Sequence, residues 1–136
     1  MFILDTNVVS ELRRPDKADP KVLAWASAAP LDHFFLSAIT VLELELGALL
    51  IDRKDPDQGA VLRAWIDHQV LARFEGRILA VDTAVAQRCA RLHVPNPRAE
   101  RDALIAATAL VHGMTVATRN VADFEPTGVP LFNPWS

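Results

Sequence analysis

The 136 residues suffice for one hydrophobic core and leave too little chain for a second domain. A composition of 51% apolar and 23% charged residues excludes a disordered chain. The net charge of −3 offers nucleic acid no global attraction, although several acids gathered in one metal site would account for the deficit.

The chain opens on Phe2-Ile3-Leu4, a short apolar run that stops at Asp5-Thr6-Asn7, the form of a buried strand ending in polar residues. No basic segment precedes it and no apolar stretch approaches membrane-spanning length, which predicts a cytoplasmic protein with no membrane association. A short helix from about Val8 to Arg13 is closed by Pro15, and a second from Pro20 to about Ala29 carries Val22, Leu23 and Trp25. Phe34-Phe35-Leu36 reads as a second strand, with Ser37 placed to cap a helix running to about Ile51. That helix is apolar almost all round, which predicts burial between the sheet and another surface. A further helix is expected from Pro56 to Phe74, a third strand at Ile78–Val81, and a helix capped by Asp82 or Thr83 that ends near His93. Its Cys89, the only cysteine, lies among apolar neighbours and is expected to be a buried small hydrophobe. Pro95 and Pro97 break the chain before an alanine-rich helix from about Ala99 to His112, closed by Gly113; Met114–Thr118 is the fourth strand and Val129–Phe132 a final short one.

Strands alternating with helices predict an α/β fold, a parallel sheet covered by helices on both faces, whose ligands sit outside the carboxyl ends of the strands. Asp5 emerges there after the first strand, and Asn120 with Asp123 emerges there after the fourth. Asp102 begins the helix that leads into the fourth strand, and Glu43 lies in the helix that follows the second. Carboxylates at close range raise one another's pKa unless a counter-charge intervenes. A hard cation such as Mg2+ or Mn2+ supplies it, binds phosphate as well, and suits hydrolysis of a phosphodiester by a metal-activated water. Zinc is disfavoured on the ground that no histidine or cysteine pair has ligand spacing.

Structural roles compete with this chemistry: Asp5 as a helix cap, Asp102 as a partner of the helix dipole, Asp123 as a cap before Phe124. A carboxylate at Glu43, inside an apolar helix, is costly to bury without a partner. Glu45 is two residues on, a rotation of roughly 200°, so only one of the two faces the site; Gly47, on the Glu43 face, is expected to admit a second backbone. Thr6, Asn7 and Thr118 are candidate supports for the acids, and Arg13, Arg14, Lys17, Arg98, Arg101 and Arg119 are candidate RNA-phosphate contacts or plain surface charge.

These pieces resemble, in order and spacing, the PIN-domain toxins of VapC and FitB type: Leu4-Asp5-Thr6-Asn7, Ser37-Ala38-Ile39-Thr40 leading to Glu43 and Gly47, Asp102 to Ala109, Thr118-Arg119-Asn120 with Asp123-Phe124, and Asn133-Pro134-Trp135. The resemblance spans nearly the whole chain. It implies a three-layer α/β/α sandwich with a parallel sheet of about four to five strands. It also implies Mg2+- or Mn2+-dependent endoribonuclease activity, a homodimer, and a small antitoxin whose own DNA-binding domain represses the operon. It carries metal binding onto Asp5, Glu43 and Asp102, whereas the family's fourth acidic position falls on Asn120, leaving Asn120 or Asp123 to complete the site. An aspartyl-nucleophile phosphatase is disfavoured because Asn7 stands where a second aspartate is needed, and no Gly-rich loop follows a strand to cradle phosphate. The rival from another class is a PIN-like binding module that represses transcription with its partner and has little nuclease activity.

Overall fold

The computed structural model describes residues 1–136. Strand β1 (Phe2–Leu4) leads directly into helix α1 (Thr6–Glu11); α2 (Pro20–Ala28), β2 (Phe34–Ser37) and α3 (Ala38–Lys54) follow. The expected long helix from Pro56 is real but interrupted: α4 (Pro56–Trp65) widens into a π-turn at Ile66–Val70 before a last turn, α5 (Leu71–Arg73). Then come β3 (Ile78–Leu79), α6 (Thr83–Leu92), α7 (Glu100–His112), β4 (Thr115–Ala117), α8 (Val121–Phe124) and β5 (Leu131–Phe132).

The caps explain the boundaries. Ser37 Oγ accepts the N–H of Ile39, Asp82 rather than Thr83 accepts the N–H of Val85, and Gly113 closes α7 in the left-handed conformation at φ 66°.

All five strands are parallel, in the order β3-β2-β1-β4-β5. Side chains alternate across the sheet as the strand period requires. Ile3 and Val116 point into a core shared with α6, α7 and Phe124, whereas Leu4, Leu36 and Ala117 point into a second core with α1, α3 and the Ile66–Phe74 segment. This is the expected α/β/α sandwich. The strand order reverses between β1 and β4, so the carboxyl ends of those two strands flank the crevice where such folds bind ligands.

Two packing expectations are corrected. Helix α3 is not sandwiched: Thr40, Leu44 and Ala48 are buried, but Leu42 is 47%, Leu49 59% and Leu50 53% exposed, because α4 covers only one flank. Gly47 meets no backbone, since a Cβ there would find no atom within 4 Å; the close approach is instead at Gly59 of α4, where a Cβ would lie 2.6 Å from the Asp52 Cα. No helix is long and apolar enough to cross a membrane.

Candidate active site

Asp5 is the last residue before α1 and is 5% exposed. Its carboxylate accepts the Thr6 N–H at 2.8 Å, the Thr118 hydroxyl at 2.8 Å and the Asn7 amide at 3.3 Å. The capping and cluster roles foreseen for Asp5 are thus compatible, because one oxygen serves the helix and the other faces β4. Burial nevertheless outweighs these donors and pushes the Asp5 carboxyl above its ordinary range, with the charges of Glu43 and Asp123 adding to the rise.

Thr118, fully buried after β4, joins the two strand ends. Its oxygen donates to Asp5 and accepts from the Asn7 amide at 3.3 Å and the Asn120 N–H at 3.0 Å. Asn7 completes the tie through its Oδ1, which accepts the Arg119 N–H at 3.4 Å.

Glu43 reaches the same place from α3: Oε1 accepts the Thr6 hydroxyl at 2.6 Å, and Oε2 lies 3.8 Å from Arg101. Glu45 turns away, as the helical phase requires, and pairs with Arg63, which also holds Asp67 at 2.8 Å. Asp102, in the first turn of α7, accepts no hydrogen bond from any protein group. Burial, then the charges of Asp5, Asp123 and Glu43, raise its carboxyl above the ordinary range. Asp123 caps nothing; it sits in the single turn of α8, its N–H donates to Asn120 O, and its side chain lines a cavity of about 390 Å³ with Asp102 and Arg98. Asn120 opens α8 without a side-chain capping bond; it is exposed, and its backbone N–H donates to Thr118 Oγ1.

The candidate basic residues divide. Arg101 faces Glu43, Arg98 lines the Asp102–Asp123 cavity while its Nε donates to Leu92 O, Arg119 lies 5.3 Å over the Trp135 ring and Arg13 6.0 Å from that of Trp65. Arg14 and Lys17 are exposed on the turn after α1 and make no ion pair.

A second cluster corrects the sequence argument about ligand spacing. Cys89 lies on α6 and His93, four residues on, caps its C-terminal end on the same face, and the fold adds Glu100: His93 Nε2 is 3.8 Å from Cys89 Sγ and 3.2 Å from Glu100 Oε2. The Arg98 N–H donates to His93 Nδ1 at 3.1 Å, which places the ring proton on Nε2, facing Glu100. That proton explains the cluster without an ion. Cys89 is buried as expected, and desolvation raises its thiol pKa.

Carboxylates from four segments therefore lie close enough at the carboxyl ends of β1 and β4 to act on one another: burial first, and the charges of neighbouring acids second, raise Asp5 and Asp102. Oxygen-only donors, with Asp102 lacking any protein donor, fit a hard divalent cation.

A parallel sheet in this order with acids at its switch point is the architecture of the PIN domain, and the PIN domain family model matches residues 2–125. The chain belongs to that family. It is 42% identical to Toxin FitB of Neisseria gonorrhoeae, over 99% of each chain, and 37% identical to VapC ribonuclease Y4jK of Sinorhizobium fredii, over 99% of this chain and 98% of the relative. Among solved structures, that of FitAcB from Neisseria gonorrhoeae superposes with a TM-score of 0.90 at 40% identity, covering 99% of both chains; FitAB bound to an IR36 DNA fragment gives 0.89 at 40% identity, covering 100% of this chain and 96% of the other.

Proposed function

We propose that this chain, acting as one domain over residues 1–136, is a Mg2+- or Mn2+-dependent endoribonuclease and the toxin of a type II toxin–antitoxin pair. The observation that carries the reading is Asp102, a half-buried carboxylate that accepts no protein hydrogen bond and is raised above its ordinary range by burial and then by the charges of Asp5, Asp123 and Glu43. A divalent cation beside it would offset both the burial and the repulsion. The ion would be held by Asp5, Glu43 and Asp102 and would supply the Lewis acidity that makes water a nucleophile toward phosphorus and stabilises charge on the phosphate.

The remaining roles fall to the chain's own groups. Thr118 and the Thr6 N–H fix the Asp5 carboxylate, and the Thr6 hydroxyl fixes Glu43, so both acids are oriented before substrate arrives. Asn120 would orient the attacking water through its side-chain oxygen, and Asp123 adds negative charge beside Asp102, with which it lines one cavity. Arg101 and Arg98 flank the acids and bind the phosphates on either side of the scissile bond; Arg13, Arg14 and Arg119 extend the track.

The relative named a ribonuclease and the one named a toxin support this reading, as does the FitAB complex on DNA, which bears on the partner. We infer a homodimer in the cytoplasm, its contact supplied by the exposed leucines of α3, and a small antitoxin that also binds operator DNA. The DNA in the FitAB structure also favours a second reading, in which the chain acts with its partner in repression and cleaves little. Incubating the antitoxin-free protein with total RNA, in chelator and in Mn2+ or Mg2+, separates the two. Discrete cut ends that require the ion support the nuclease; intact RNA with the ion present supports the binding module.

A further inference from the structure

A cavity of about 210 Å³ opens beside the acids, between α1, α3 and α4. Two of its lining residues, Thr6 and Glu43, are the hydrogen-bonded pair of the candidate active site, so the cavity and the acids share a wall. It is lined by the apolar Ile51 and Leu62 and by Trp65, which is partly buried against the second core, and the Arg13 guanidinium lies over the Trp65 ring, 6.0 Å from its centre. Arg13 has no carboxylate partner, unlike Arg63 and Arg101. Gly47 forms part of the mouth: it is exposed, and a Cβ added there would meet nothing within 4 Å. At ~30 Å³ per water, the space holds about seven waters, or one flat heteroaromatic ring.

We propose that this cavity seats one unpaired base of the RNA, adjacent to the phosphodiester that is cut, with Trp65 as its stacking platform and Arg13, which lies over that ring in the free protein, moving onto the phosphate that follows. The inference rests on the nuclease reading given above. Single-stranded RNA is recognised by splaying a base onto an aromatic ring, with cations on the backbone beside it, and this cavity places both groups against the acids. The absence of a side chain at position 47 keeps the entrance open. An α-helix has no local use for glycine, which costs helical stability relative to almost any other residue, so the opening compensates for a local disadvantage.

The test is the variant Gly47→Leu, which closes the mouth without touching an acid, used with a set of synthetic RNA substrates that each lack the base at one position flanking the cut. Because leucine favours the helix, the variant should melt a few degrees higher than wild type, which shows that it is folded. Wild type should show a KM about 10- to 100-fold higher for the substrate missing one particular base, with kcat and Mn2+ affinity unchanged. Gly47→Leu should show that same rise on the intact substrate and no further rise when the base is removed. Equal KM values for Gly47→Leu and wild type on intact RNA would overturn the base pocket alone. A variant that cleaves normally but no longer holds its protein partner would assign the cavity to a peptide side chain and overturn it too. Failure of wild type to cut any RNA in Mn2+ would sink the nuclease reading and this inference together.

Discussion

Replacing Asp102 by asparagine keeps the shape of the side chain and removes one charge from the cluster. In the first turn of α7 that charge gains ~0.3–1 kcal/mol from the helix dipole. It loses more to burial and to repulsion by Asp5, Asp123 and Glu43, since the raised pKa shows the unfavourable effects to be the larger. Asp102 is only half-buried, so solvent screening holds the net to on the order of 1 kcal/mol. For a chain of this size that is about 3–4 °C in Tm.

In chelator, Asp102→Asn should therefore melt above wild type. The sign with pH follows from a folded-state pKa above the ordinary 3.8: the folded wild type retains a proton that the unfolded chain has released. The contribution of Asp102 is fully present below that value and is lost as pH rises through the window above it, so the advantage of the variant opens across that window and closes below it. Saturating Mn2+ should reverse the order. An ion at ~100 times its Kd stabilises the folded state by about 2.7 kcal/mol, more than the repulsion it relieves, and the variant lacking a ligand gains little of this. Thermal melts in chelator and in a Mn2+ series, from pH 4 to 8, read both effects. A variant that melts below wild type in chelator, or that gains as much as wild type from Mn2+, would refute the reasoning.

Thr6→Val removes the 2.6 Å hydrogen bond to Glu43 while keeping the branched shape, leaving that carboxylate only Arg101 at 3.8 Å. Cleavage should fall about 10- to 100-fold in kcat, and Thr6→Ser should restore it, whereas a purely structural role would show equal losses in both variants. Glu43→Gln should abolish most cleavage and Glu45→Gln almost none. The Glu45–Arg63 pair is about a third exposed, so its loss costs no more than ~1 kcal/mol. Arg63 holds the Glu45 pKa below the ordinary 4.5, so that stability is present above 4.5 and disappears as pH falls; parallel activity and melting measurements distinguish the two glutamates, and the reverse ranking would show the helical phase to be wrong.

The parts of this protein legible in its sequence are those encoded by near neighbours. Short apolar runs with abrupt polar stops mark β1 and β4, the 3.6-residue period separates Glu43 from Glu45, and Ser37, Asp82 and Gly113 mark helix ends, because each signal operates within a turn or two of chain. Local signals were ambiguous wherever the outcome depends on a distant surface. The apolar residues of α3 predict burial, but only the tertiary arrangement shows α4 covering one flank and leaving the leucines exposed. Both Gly47 and Gly59 are helix-breaking in isolation, and only the packing of α4 against α3 decides that Gly59 meets a backbone while Gly47 borders an opening. The π-turn at Ile66–Val70 keeps a helical pattern of side chains and so is silent in the sequence. The four-residue step from Cys89 to His93 was readable, but its meaning lay in the Arg98 N–H that places the ring proton. The hydrogen bond between Thr118 and Asp5 spans 113 residues, and no local preference encodes it. It exists because β1 and β4 pair in parallel at the centre of the sheet, so the convergence of the acids is a property of strand order, which the chain acquires only on folding.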